Sequence, residues 1–137
     1  MAPSSTENAL SWTQIATGIG ILTFWFLFFA ADIAPARPPA CYFPFEHSFP
    51  LPDSLLALAL LASGVDRLRG GQWGNGVSLA CAGGLIFLGL IDLMFTAQNG
   101  GFGGPLADTV VSVALSVWCV ALGAWIVAVR AHRVQRS

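Results

Sequence analysis

The sequence predicts an all-α integral membrane protein: a bundle of four transmembrane helices, both termini cytoplasmic, with a proline- and aromatic-rich outer loop between helices 1 and 2. Three observations carry this. Hydrophobic residues make up 55% of the chain and charged residues 9%, with a mean hydropathy of +0.72; a chain that apolar has its expected exterior in lipid. Four apolar runs recur at lengths suited to a hydrocarbon core of ~30 Å, which takes about 20 helical residues. Charge is also sorted, because all six basic residues are arginine, five of them beside one set of run ends, while five of the seven carboxylates lie beside the other. Basic residues near span ends set orientation. Arg67, Arg69, Arg130, Arg133 and Arg136 therefore mark the cytoplasmic face, and only Arg37 lies outside.

The length allows a single domain over residues 1–137, with helices at about 11–32, 53–69, 76–97 and 106–130. The first run, Ile15 to Ala31, carries no charge. Ala34-Pro35-Ala36 superficially fits a signal-peptide cleavage site, but the segment before the run has Glu7 and no basic residue, against the positive flank that a signal peptide requires. The second run is the shortest, uncharged only from Ser54 to Val65 between Asp53 and Asp66. Counted from Asp53 to Arg69 it gives about 25 Å of helix, a short crossing with arginine stems snorkelling to the interface. The third run, Val77 to Ala97, holds one charge, Asp92, and the fourth, Thr109 to Val129, holds none. Gly-rich turns join the runs at 69–76 and 98–105, with Trp73 as an interfacial anchor. Neither turn is a phosphate loop, since neither follows a strand or carries the lysine. Small residues at i, i+4 spacing, namely Ala59/Ser63, Ala80/Gly84, Ser112/Ser116 and Cys119/Gly123, are the expected helix contacts.

The three cysteines, Cys41, Cys81 and Cys119, form no C-x-x-C pair. Only Cys41 lies on the oxidising side, so no disulfide is expected, and the other two are packing residues. The absence of lysine beside abundant Ala and Gly points to a high-GC bacterial genome, hence a multi-pass protein of the bacterial inner membrane.

The least ordinary stretch is the outer loop, DIAPARPPACYFPFEHSFPLPD, with six prolines and four aromatic residues. It should be stiff and lie in the interface as a cap over the bundle. In it sit Glu46 and His47, and Asp53 ends it. Asp53 reads as the N-cap of helix 2, Asp108 as a first-turn carboxylate of helix 4, and Asp32 as a solvated interface residue. Asp92 differs: it lies five residues before the end of its run, about 7 Å inside the boundary. A charged aspartate at the centre of a helix costs about 2.5–3.5 kcal/mol on insertion, less toward the interface. Such a residue is expected to face the bundle and have a partner.

The candidate ligand-binding residues are therefore Asp92, Glu46, His47 and Asp53. If they converge, they can bind a cation or cationic head group, carry protons, or act as acid and base. Glu46-His47 is an adjacent dyad without metal-ligand spacing, and no metal or cofactor is expected. The stretches CYFPFEHSFPLPD, RLRGGQWG and GLIDLMFTAQ resemble a group of small four-span bacterial membrane proteins of the domain-of-unknown-function type. The resemblance covers most of the chain, implies a four-helix membrane protein and assigns no site residue. Small multidrug exporters carry their essential glutamate in the first span, where this chain has none. Sterol-isomerase-like proteins use intramembrane carboxylates, but no local motif here matches theirs.

The leading expectation is a small-ligand binder or accessory subunit, not an enzyme, with a small hydrophobic or cationic ligand at an outward-facing acidic pocket. The bilayer, another copy of the chain or a membrane partner protein are its expected partners; nucleic acid is not. The alternatives are an enzyme acting on a lipid or isoprenoid through Asp92 and Glu46, and a packing module in which the acids are caps. Orientation accounts for the cytoplasmic arginines in full, and no functional role is expected of them.

Overall fold

The computed structural model describes residues 4–134; Arg136 lies outside them, as does the side chain of Arg133. The described residues form helices and connections only: α1 (Ser5–Ala30), α2 (Tyr42–Glu46), α3 (Pro50–Leu68), α4 (Gly74–Gln98) and α5 (Leu106–Val134), with a 3-10 turn at Gly101–Gly103. Three of them, α1, α4 and the stretch Leu106–His132 of α5, are long and apolar enough to cross a membrane. The 19-residue α3 is not among those three; it carries Asp53, Asp66 and Arg67 and packs antiparallel between α1 and α4.

α1 starts earlier than its apolar run suggests. Ser4 accepts the Glu7 N–H and the Glu7 carboxylate accepts the Ser4 N–H, both at 3.3 Å, a capping box that satisfies two orphan donors. The proline- and aromatic-rich loop between α1 and α3 contains the short helix α2. α3 opens on Pro50, whose missing N–H costs nothing in a first turn. The cap position there is Phe49, with no side-chain bond, so Asp53 is not the cap expected of it. At the start of α4 a residue of the preceding helix supplies the acceptor: Asp66 takes the Gly74 N–H at 2.8 Å.

The long helices form two hairpins, α1/α3 and α4/α5, that repeat one packing pattern. Moving α1 forward by 71 residues (Gly18 to Gly89) carries its buried Glu7, Leu10, Ser11, Gln14, Gly18 and Trp25 onto Ser78, Cys81, Ala82, Leu85, Gly89 and Thr96, all buried in α4. Moving α3 forward by 59 (Gly64 to Gly123) carries its buried Ala57, Ser63, Gly64 and Arg67 onto Ser116, Leu122, Gly123 and Ile126, all buried in α5.

The contacts repeat too. A Cβ on Gly18 would lie 2.8 Å from the Ala57 carbonyl oxygen, and one on Gly89 would meet that of Ser116; a Cβ on Gly64 would lie 2.9 Å from the Ser11 carbonyl, and one on Gly123 2.8 Å from that of Ala82. Backbones approach this closely only where glycine supplies no side chain. Near the far end, Trp25 Nε1–H donates to Asp53 at 3.0 Å; at the matching positions Thr96 and Ser112 share a hydrogen bond of 3.0 Å. The offsets 71 and 59 differ by 12, the extra length of the first hairpin's loop. The proline-rich loop is thus an insertion into one of two like hairpins.

Leu10, Leu60, Cys81, Ala82, Leu85, Leu122 and Ile126 form the buried core between the hairpins. The small-residue contacts expected from the sequence are met at Ser63, Ser116 and Gly123, but Ala80 is exposed and Gly18, Gly64 and Gly89 make the closer approaches. α3 and α4 pack along their seam, whereas α1 and α5 are joined by point contacts among the described residues: Glu7 and Ser11 to Arg130, and Trp118 Nε1–H to Thr17 Oγ1 at 3.2 Å. Each end of the assembly holds its own set of polar groups.

Candidate functional site

At the loop end three carboxylates come from three elements, Glu46 from α2, Asp53 from α3 and Asp92 from α4. The stacking of Phe45 on Phe95, with ring centroids 3.9 Å apart, fixes α2 over the end of α4. Glu46 then lies where burial, followed by the negative charges of Asp92 and Asp53, pushes its carboxyl up to about 7. Burial, and then the charges of Glu46, Asp92 and Asp108, likewise raise the Tyr42 phenol. None of the three acids is ion-paired among the described residues. Asp53 is buried and accepts the indole N–H of Trp25. Asp92 is half-buried, at the position that Ile21 fills in α1, where that side chain packs against the core. Of the polar residues that follow Asp92 on its own helix, Gln98 is exposed and Thr96 bonds Ser112.

His47 stands apart. It is exposed and stacks on Phe29 at 5.9 Å, with Phe28 and Phe43 at 6.0 and 6.3 Å, on the α1 side of the loop. Glu46 and His47, adjacent in the chain and one of several acid-base pairings the sequence allows, lie in different surroundings. Asp108 lies in the first turn of α5, as expected, and also accepts the Ala36 N–H at 3.0 Å, which pins the inserted loop to the second hairpin. Cys41 Sγ donates to Asn99 at 3.2 Å and ties the same loop to the end of α4. Among the described residues no group of three or more His, Cys, Asp or Glu side chains could hold a metal ion.

The arginine end was not foreseen. Arg67 and Arg130, expected only to mark orientation, are buried, and both reach Glu7 Oε1, at 3.4 and 3.3 Å. Arg67 also donates to the Gly71 carbonyl and Arg130 to Ser11. One layer inward, buried Gln14 donates to Ser63 at 3.2 Å and to Ser78 at 2.9 Å, joining α1, α3 and α4. Isolated charges at that burial would be prohibitive; pairing and hydrogen bonding make it tolerable. The signal was present in the sequence: Ser4-x-x-Glu7 is a capping box, and Glu7, Ser11 and Gln14 recur at helical spacing along the face that α1 buries.

Comparison with protein families, with curated proteins and with solved structures finds no match to this chain.

Proposed function

We propose that the protein is a four-span protein of the bacterial inner membrane, with both termini cytoplasmic, and that it binds a cationic, lipophilic ligand at Glu46, Asp53 and Asp92 on its outer side. The observation that carries this reading is that three carboxylates from three elements lie within electrostatic reach of one another with no cation among the described residues paired to them. Like charges gathered in a half-buried place raise one another's proton affinity, and a bound cation relieves the same repulsion. An accessory role follows if the cation belongs to a membrane partner. α3, about 28 Å long at 1.5 Å per residue, is the fourth and shortest crossing.

The test is equilibrium binding of tetraphenylphosphonium to the purified protein in a maltoside detergent. Binding strengthens as pH rises through about 7, where Glu46 loses its proton. Asp92→Asn and Glu46→Gln each weaken it about tenfold, the ~1.4 kcal/mol expected of one shielded charge pair. An Asp92→Asn protein that inserts, stays folded and binds like the wild type sinks the proposal and leaves the acids as packing residues.

A further inference from the structure

On the α1 side of the inserted loop lies a cleft of about 340 Å³ lined by Phe28, Phe29, Asp32, Ile33, Phe43 and His47. None of Glu46, Asp53 and Asp92 lines it, so it is independent of the site proposed above. Phe29 and Phe43 are 56% and 44% exposed, so each leaves a large part of its ring uncovered. An aromatic face attracts a cation through its quadrupole, and attraction is strongest where water is partly excluded.

The backbone gives a second, separate indication. α1 and α4 end alike, with a cap residue whose N–H bonds four residues back (Ala31 to Leu27 and Asn99 to Phe95), followed by a residue in the left-handed region. In the second hairpin that residue is Gly100, at φ +72°, the usual occupant of such a helix stop. In the first it is Asp32, at φ +48°, the only non-glycine residue with positive φ among those described. A Cβ in that region carries a steric cost that glycine avoids. The backbone favours glycine at this stop, and a carboxylate stands there instead, on the wall of an aromatic cleft.

We propose that this cleft seats an alkylammonium head group, with the aromatic faces of Phe29, Phe43 and His47 around the cation and Asp32 as its counter-charge. The head group belongs either to a lipid of the outer leaflet or to a free amine. The cleft's volume lies at the small end of the range of ligand sites, and a trimethylammonium group with its first carbons fits within it.

Full-length protein in a maltoside detergent, free of ammonium lipids, is titrated with radiolabelled choline. In a second arm, protein reconstituted in mixed phosphatidylcholine and phosphatidylglycerol is weighed by native mass spectrometry for retained lipid. Wild type binds choline; Asp32→Asn and Phe43→Leu each weaken binding about tenfold, while Glu46→Gln leaves it within about twofold. Asp32→Gly separates site from fold, because it relieves the backbone and raises Tm while weakening binding like Asp32→Asn. Retention of phosphatidylcholine that choline displaces identifies the lipid; choline binding without such retention identifies the free amine. If wild type shows neither choline binding nor preference for phosphatidylcholine, or if Asp32→Gly and Phe43→Leu bind as wild type does, the rings are interfacial anchors only and the proposal is wrong.

Discussion

The two ends of the helix assembly treat charge in opposite ways. At the arginine end Glu7 meets Arg67 and Arg130 in a layer closed to solvent, and the Gln14, Ser63 and Ser78 layer beside it is hydrogen-bonded throughout. At the loop end Glu46, Asp53 and Asp92, buried or half-buried, lie within electrostatic reach of one another, with no cation among the described residues paired to them. Burial next to opposite charge holds a structure in one arrangement, because separating the partners leaves an uncompensated charge. Burial next to like charge leaves a standing electrostatic cost that a proton or a bound cation lowers. The first end therefore holds the two hairpins on each other, while the second keeps its like charges uncompensated among the described residues.

The sharpest way to break this comparison is at Glu7. Glu7→Ala removes the carboxylate that two buried guanidinium groups reach and should cost about 3–5 kcal/mol, read as a fall in thermal unfolding temperature in detergent, whereas Asp92→Asn should cost nothing or raise stability. Equal losses at both ends would show that the loop-end acids are as structural as the arginine layer. A smaller effect tests the repeated hairpins. Gly18→Ala and Gly89→Ala both force a Cβ against a facing carbonyl and should each cost about 1–3 kcal/mol by overpacking, while Gly20→Ala, with open space around it, should be neutral. A loss at only one of the first pair would mean that the two hairpins are not equivalent.

The smallest effect is in pH. The Glu46 carboxyl is raised from 4.5 to about 7, so its proton is held more tightly in the folded protein. The stability it contributes is fully present below about 4.5 and lost as pH rises through about 7. Tm should decline across that window in the wild type and decline less in Glu46→Gln. A flat profile in both would remove the like-charge argument at the loop end.

Much of the scaffold could be read from the chain, and for a plain reason. An apolar run long enough to cross lipid forms a helix whatever its neighbours do, because its backbone groups have no other partner there. That covers α1, α4 and α5, and turn glycines such as Gly70 and Gly100, whose positive φ few other residues adopt. The sequence leaves open where Glu46 lies relative to Asp53 and Asp92; stacking of Phe45 on Phe95 holds α2 at the end of α4, where the charges of both act on Glu46. The internal repeat was not legible, since it survives mainly as matched burial: Glu7 corresponds to Ser78, Gln14 to Leu85 and Arg67 to Ile126, with Gly18/Gly89 and Gly64/Gly123 among the few shared residues.

The sequence by itself determined an all-helical chain with three helices fit for a membrane, and it sorted arginine to one end and acid to the other. Those properties depend on local composition and length, which each segment carries alone. Tertiary structure decided which charges are paired. Glu7 and Arg130 stand 123 positions apart, and only the closing of the two hairpins on each other brings them to 3.3 Å. It also decided that Asp53 serves the Trp25 indole and caps nothing, and that His47 and Glu46, adjacent in the chain, face different surroundings. Polar partners across helices are chosen by which faces meet, and that information belongs to no single segment.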